Sequence, residues 1–211
     1  MEEERRLSKA VVTRARLAAA AVETFAKRGF HGTTTRDIAK AAGLSTGALY
    51  VHYESKEQLL FEISLRGHHE TLSVITAAKA KAEAADLIEQ LRQVVYSYVT
   101  YHVREHTVAR VVNYELAALS PAHLQVVQTI RHRIDTEMRE LVTHGCHAGV
   151  FQTRRPRFAA AAILSLGVDI GRWYDEKQTW TADQIGRAYT DIALAIVGAR
   201  AAGPRADPVW E

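Results

Sequence analysis

Within the stretch STGALYVHYESK (residues 45–56), Thr46, Tyr50 and His52 carry hydrogen-bonding tips, and the segment opens with its smallest side chains. Wound as a helix, it puts Thr46, Gly47 and Tyr50 on one face, flanked by Ala48 and His52, while Leu49 and Tyr53 point the other way. The chemistry open to such a face is recognition. Ser45-Thr46-Gly47-Ala48 has so little bulk that the N-terminal end of the helix can sit deep in the major groove of DNA. There Thr46 can hydrogen-bond a base or phosphate, and the Ala48 methyl can touch a thymine methyl. Tyr50 and His52 then reach sugar and phosphate, as do Thr35 and Lys56 at the N-termini of neighbouring helices. Arg36, one residue beyond Thr35, suits a bidentate contact with guanine.

Two other chemistries have residues to argue from. His102 and His106 are four apart, a spacing that can present two imidazoles to one metal, and His144, Cys146 and His147 add three further ligand types. A metal-responsive regulator is therefore the alternative reading. Catalysis finds less: no G-x-S-x-G, glycine-rich phosphate loop or H-E-x-x-H occurs, and Glu115 and Asp169 stand as isolated acids. The expectation is a protein that is not an enzyme and needs no cofactor or metal.

The elements that would position the reading face are legible from caps and stops. Leu17, Ala21 and Phe25 form an apolar stripe on a first helix from about Ser8 to Arg28, which ends at Gly29 after Lys27 and Arg28. Thr34 followed by Asp37 reads as a capping box, and Gly43 stops that helix after two turns. Ser45 caps the short helix already described. Ser55 to Gln58 reads as a second capping box, opening a long fourth helix. Two short helices joined by AGLS and packed on a longer one make a helix-turn-helix, with Gly43 left-handed at the turn and Ile38, Leu44 and Leu49 in the wedge.

Helical periodicity continues to the C-terminus. DLIEQLRQVVYSYVTYHV carries one apolar face. A helix over about Val108–Leu119 stops before Pro121, which opens the next; Pro156 opens another, and Thr181 caps the last. Period-two alternation is scarce. The fold expected is all-α, about nine helices: an N-terminal three-helix DNA-binding domain (8–71, helix-turn-helix about 34–53), a C-terminal helical ligand-binding and dimerisation domain (72–203), and a frayed tail (204–211).

Charge supports the division. Residues 5–56 hold ten lysines and arginines against three acids, whereas the rest of the chain is close to neutral apart from Glu2, Glu3 and Glu4. A basic first quarter on a neutral body suggests a polyanion partner for that quarter. Arg5, Arg6 and Lys9 could extend it as an arm along the DNA backbone or minor groove. A single cysteine excludes an internal disulfide, the N-terminus lacks a signal-peptide core, and no apolar run spans a bilayer; the expected location is the cytoplasm, with no membrane partner.

TTRDIAKAAGLSTGALYVHYESKEQLL resembles the signature of the TetR family of bacterial regulators. Thr35, Ile38-Ala39, Ala42-Gly43-Leu44, Gly47, Leu49-Tyr50, His52-Tyr53, Lys56 and Leu59 match its spacing without insertion, within a match of about residues 11–71. Tyr53 stands where phenylalanine is common. The resemblance implies an all-helical homodimer that binds a pseudopalindromic operator and usually represses. It places DNA contacts at Thr35, Arg36, Ser45, Thr46, Gly47, Tyr50, His52 and Lys56.

In the C-terminal half, small and aliphatic residues (Ala159 to Ala162, Leu166, Gly167; Ile192, Ala195, Ile196) allow the last two helices to approach a second copy as a four-helix interface. Polar groups interrupting apolar faces mark the candidate effector pocket: Tyr98, Tyr101, His102, Asn113, Tyr114, Asp169, Arg172 and Trp173. GRWY followed by TADQIGRAY resembles the C-terminal segment of TetR-type regulators of fatty-acid and steroid breakdown, which implies an acyl-CoA thioester as effector. Arg131, Arg133, Arg139, Arg154, Arg155 and Arg157 are then candidates to meet the CoA phosphates.

Overall fold

The computed structural model describes residues 2–177 and 179–199, and among these all regular structure is helical. The helices are α1 (Glu2–Arg28), α2 (Thr35–Ala41), α3 (Thr46–His52), α4 (Lys56–Lys81), α5 (Leu87–Arg104), α6 (His106–Tyr114), α7 (Pro121–His147), α8 (Pro156–Trp173) and α9 (Ala182–Val197), with one 3-10 turn at Leu116–Ala118. The segment expected to fray, 204–211, lies outside the described residues.

Short helices need their ends satisfied, and the caps foreseen at Thr34, Ser45 and Thr181 form. Thr34 and Asp37 exchange bonds: the Asp37 amide donates to Thr34 Oγ1 at 3.1 Å, and the Thr34 amide donates to Asp37 Oδ2 at 2.9 Å. Ser45 Oγ accepts from the Ala48 amide at 3.1 Å. The box expected at Ser55–Gln58 closes only halfway. Ser55 Oγ accepts the Gln58 amide, but the Gln58 side chain turns forward to Glu62 at 3.3 Å, drawn to a carboxylate that Arg14 also holds.

Other boundaries differ from expectation. α1 begins at Glu2, so the backbone carrying Arg5, Arg6 and Lys9 is helical rather than a loose arm. The helix expected over Val108–Leu119 starts at His106 and ends at Tyr114, with the chain tightening into a 3-10 turn before Ser120 caps α7.

Two apolar cores are built along α4. Its first turns (Leu59, Leu60, Ile63) join Leu17, Phe25, Ile38 and Leu49; its later turns (Leu72, Ile75, Ala78) join Leu91, Tyr98, Met138 and Ile163. The N-terminal core is not closed by α1–α4 alone. Val111 and Val112 of α6, Leu119, and Val127 of α7 complete it. The reading head is thus packed directly on the body.

On α8 the small residues singled out for an interface divide between two faces. Ala159, Ala160 and Gly167 face their own chain, and a Cβ at Gly167 would lie 2.2 Å from Tyr98 Cε1, so the glycine admits the tyrosine ring. The outward face carries Phe158, 72% exposed, with Ala161, Ala162 and Ser165. On α9 the outward residues are Arg187, Asp191, Ile192 and Ala195.

Candidate functional site

The helix-turn-helix is held from behind by α1. Gly43 has φ +65°, the left-handed turn expected between α2 and α3, and Leu44 N–H returns to Ala39 O at 2.8 Å. Arg16 Nη2 donates to Ala42 O at 2.7 Å, and Arg14 Nη1 to His52 O at 2.8 Å. The two arginines therefore satisfy carbonyls at the C-terminal ends of both short helices, where the dipole favours positive charge. Arg14 also stacks over the Tyr53 ring at 4.6 Å, and the Tyr53 hydroxyl donates to Arg14 O at 3.3 Å, a use for the oxygen that phenylalanine would lack.

The residues expected to contact DNA lie on or near the outer surface. Ser45, Gly47 and Tyr50 are exposed, Thr46, Ala48 and His52 partly so, and Leu49 and Tyr53 are buried. Tyr50 Oη and Thr35 Oγ1 lie 3.3 Å apart, joining the start of α2 to the middle of α3. Arg36 is exposed and makes no hydrogen bond or ion pair among the described residues, which leaves its guanidinium available. A Cβ at Gly47 would meet only Ser45 Oγ, at 3.8 Å.

Lys56 is more engaged than its spacing suggested. Its Nζ donates to Phe30 O at 2.7 Å and Thr33 O at 2.6 Å and lies 4.1 Å from the centroid of the Phe30 ring. Burial pulls its pKa below the ordinary lysine value. One ammonium donor remains; the other two fix the loop ahead of α2.

The eight effector candidates separate into groups. Tyr98 and His102 are buried, with ring centroids 4.3 Å apart; Tyr98 donates to Leu164 O at 2.8 Å. Tyr101 donates to Glu70 at 3.0 Å. Asn113 accepts from Arg131 Nη1 at 2.9 Å. Tyr114, Asp169 and Arg172 instead form a surface triad, with Arg172 bidentate on Asp169 at 2.7 and 3.0 Å and Tyr114 donating to Asp169 at 3.4 Å. Trp173 packs edge-on against Tyr174 and Trp180.

Sequence reasoning missed His68 and Ser64 on α4. Both are buried: His68 Nδ1 reaches Ser64 O at 2.7 Å, and its Nε2 receives Arg131 Nη1 at 3.0 Å. Their only signal was a polar stripe (Ser64, His68, Thr71) at helical spacing.

Two open clefts are present, the first between head and body, the second within the head between α1 and α4. One, about 670 Å³, is lined by Arg16, Glu23, Arg66, Arg104 and His106; the other, about 750 Å³, by Val11, Ala18, Phe61 and Leu65. Of the alternative metal ligands, His102 and His106 each turn Nδ1 to a backbone carbonyl, Cys146 Sγ faces Thr153 O, and among the described residues no three His, Cys, Asp or Glu side chains converge. Among the same residues no helix is long and apolar enough to cross a membrane.

The likeness to known proteins covers both halves. Residues 17–63 match the family described as bacterial regulatory proteins, tetR family, and residues 84–197 match the tetracyclin repressor-like C-terminal domain. The HTH-type transcriptional repressor KstR2 of Mycobacterium tuberculosis is 30% identical over 181 residues, covering 82% of this chain and 87% of that protein. A bacterial regulatory protein in the tetR family from Rhodococcus RHA1 superposes with a TM-score of 0.84 at 39% identity, covering 90% of this chain and 98% of that one. AibR, solved in complex with isovaleryl coenzyme A and operator DNA, shares the fold at 20% identity, with a TM-score of 0.78 over 89% of this chain and 100% of its own. Capped short helices, a left-handed glycine between them, an exposed small-residue face and these matches lead to one conclusion: this chain belongs to the TetR family of helix-turn-helix transcriptional regulators.

Proposed function

We propose that the protein is a repressor that binds a pseudopalindromic operator as a homodimer, reads it with α3, and is released by a small hydrophobic or acyl-CoA-type effector. The observation that carries the reading is Gly47. Nothing within the chain requires a missing side chain there, since a Cβ would make only ordinary van der Waals contact. Glycine costs a helix up to about 1 kcal/mol relative to alanine. The space it leaves faces outward, beside Thr46 and Tyr50, and suits a groove floor. Ser45, Ala48 and Thr35 line the same surface, with Arg36, His52 and the remaining Lys56 donor at its edges.

Dimerisation through α8 and α9 is supported by their outward apolar residues, Phe158, Ala161, Ala162, Ile192 and Ala195. A two-fold axis there sets two copies of α3 about one DNA turn, roughly 34 Å, apart. The effector class draws support from the likeness to KstR2, described as a ketosteroid transcriptional regulator. Binding among α4, α5, α6 and α7 biases the head through α4 and α7, provided the effector prefers one half-site spacing over the other.

The test is titration of labelled DNA from beside the protein's own gene, followed by fluorescence anisotropy. Saturable binding that weakens steeply with salt is expected, with acyl-CoAs of graded length then added to look for release. Absence of binding at low ionic strength overturns the reading.

A further inference from the structure

Among the described residues Arg131 is a guanidinium without a carboxylate partner. Of the six arginines singled out above, Arg133, Arg154, Arg155 and Arg157 are exposed, and Arg139 reaches only Thr136 on its own helix. Arg131 alone is bound into the interior, between α4 and α6. Its two partners are neutral acceptors, His68 Nε2 at 3.0 Å and Asn113 Oδ1 at 2.9 Å, and both bonds leave from Nη1.

The tautomer of His68 follows from its neighbours. A carbonyl only accepts, so Nδ1 must carry the proton it gives to Ser64 O, and Nε2 must be the bare nitrogen that receives Arg131. Burial drives the His68 pKa down to about 4, in keeping with a neutral ring. His102 repeats the pattern: Nδ1 gives its proton to Tyr98 O at 2.8 Å, and Nε2 makes no hydrogen bond among the described residues. Among the described residues no carboxylate, Asp135 one turn on included, pairs with Arg131.

Two features remain unused. Arg131 Nε and Nη2 make no hydrogen bond among the described residues. They are the pair by which Arg172 grips Asp169 side-on in this same chain, with Nε to one oxygen and Nη2 to the other. Ser64 Oγ, one turn before His68 on the same stripe of α4, is fully buried with no hydrogen-bond partner among the described residues. A buried hydroxyl left unsatisfied costs about 1–3 kcal/mol, which a ligand acceptor would relieve.

We propose that this cluster is the head-group subsite of the effector, and that the group it takes is a free carboxylate, held side-on by Arg131 Nε and Nη2 with Ser64 Oγ as a further donor. This rests on the effector reading above and narrows it. A thioester carbonyl is uncharged and offers one oxygen to an edge shaped for two, whereas a carboxylate neutralises the charge and fills both donors.

The experiment follows the Arg131 Nε–H resonance of the full-length protein by 15N NMR, assigned by its loss in Arg131→Lys, during titration with sodium octanoate, octanol and octanoyl-CoA. Octanoate at millimolar concentration is expected to shift that resonance saturably, and octanol is not. Arg131→Gln should weaken octanoate binding roughly ten- to hundredfold. Because Arg131 also supports Asn113 and His68, Ser64→Ala is the second variant. Its hydroxyl makes no bond, so the melting temperature should hold or rise while octanoate binds severalfold more weakly. An unmoved resonance, an equal response to octanol, or octanoate binding unaltered in both variants overturns the proposal. A protein that binds operator and is released by octanoyl-CoA, yet leaves the Arg131 resonance untouched by octanoate, loses the carboxylate subsite and keeps the regulator. One that binds octanoate at Arg131 but no operator does the reverse.

Discussion

At Lys56 two roles of a cation compete for one ammonium. Its Nζ stands on the carbonyls of Phe30 and Thr33, so replacing it first loosens the loop that leads into α2. Lys56→Met should lower unfolding stability by about 1–3 kcal/mol, as expected for lost charge-assisted bonds. It should also weaken specific and unrelated DNA alike, read by urea melts and anisotropy on two sequences. Arg36 is the contrasting case, exposed and unpaired. Arg36→Ala should leave stability within about 0.5 kcal/mol. If the contact is bidentate to guanine, it should cost about 1–3 kcal/mol at one operator position, measured by binding to single-base operator variants. The spacing of residues 35–56 disclosed both side chains as candidates but could not separate them. What separates them is Phe30 O and Thr33 O, backbone atoms whose positions depend on how the loop folds back on α4.

Between elements, the most informative tie joins the start of α4 to the start of α7. Glu57 Oε1 accepts the Ser120 amide at 2.8 Å and His123 Nδ1 at 2.9 Å, while Phe61 stacks on the His123 ring at 3.8 Å. Burial pushes the Glu57 carboxyl up, but the Ser120 amide and His123 outweigh it and hold the pKa below the ordinary glutamate value. Further along, His68 meets Arg131, and Lys79 meets Glu137 at 2.5 Å. Three polar rungs in the same order along both helices mean that α4 and α7 run parallel, so a shift of α7 reaches the residue next to Lys56. Glu57→Ala should strip a partner from both Ser120 N–H and His123. We expect a loss of about 1–3 kcal/mol and faster hydrogen exchange at Ser120 and His123, with Glu54→Ala as an inert surface control. The caps at Thr34, Ser45 and Thr181 were readable because a capping residue and its partner are neighbours in sequence. Glu57 and Ser120 are not, and nothing local marks them. Within the Ala159–Ala162 run the sequence could not say which residues face outward: four identical small residues carry no phase, and the face of α8 was decided by Tyr98 filling the notch at Gly167.

For the molecule as a whole, the buried histidines set a pH dependence. Burial lowers His68 and His102 from 6.5 to about 4. The unfolded chain therefore binds more protons than the folded one between those values, and stability rises with pH across the window. The neutral rings contribute fully above about pH 6.5 and lose their contribution as pH falls toward 4. The loss is roughly 3 kcal/mol for each ring at the acid end. Urea unfolding at about pH 7 and about pH 5 should show the drop, and His102→Gln should reduce it. The all-helical architecture was legible from period and punctuation. The packing of α6 and the start of α7 into the core of the reading head was not, because Val111, Val112 and Val127 look like any apolar residues until their neighbours are known.

The claim on which the rest depends is that α3 is slim at Gly47 for the sake of a partner outside the chain. The direct measurement is paired: melting temperature and operator affinity of Gly47→Ala and Gly47→Leu beside the unaltered protein. Folding should hold or improve in Gly47→Ala, by up to about 1 kcal/mol, while affinity falls in Gly47→Ala and collapses in Gly47→Leu. A Gly47→Leu protein that folds and still binds the operator as tightly as the original contradicts the account.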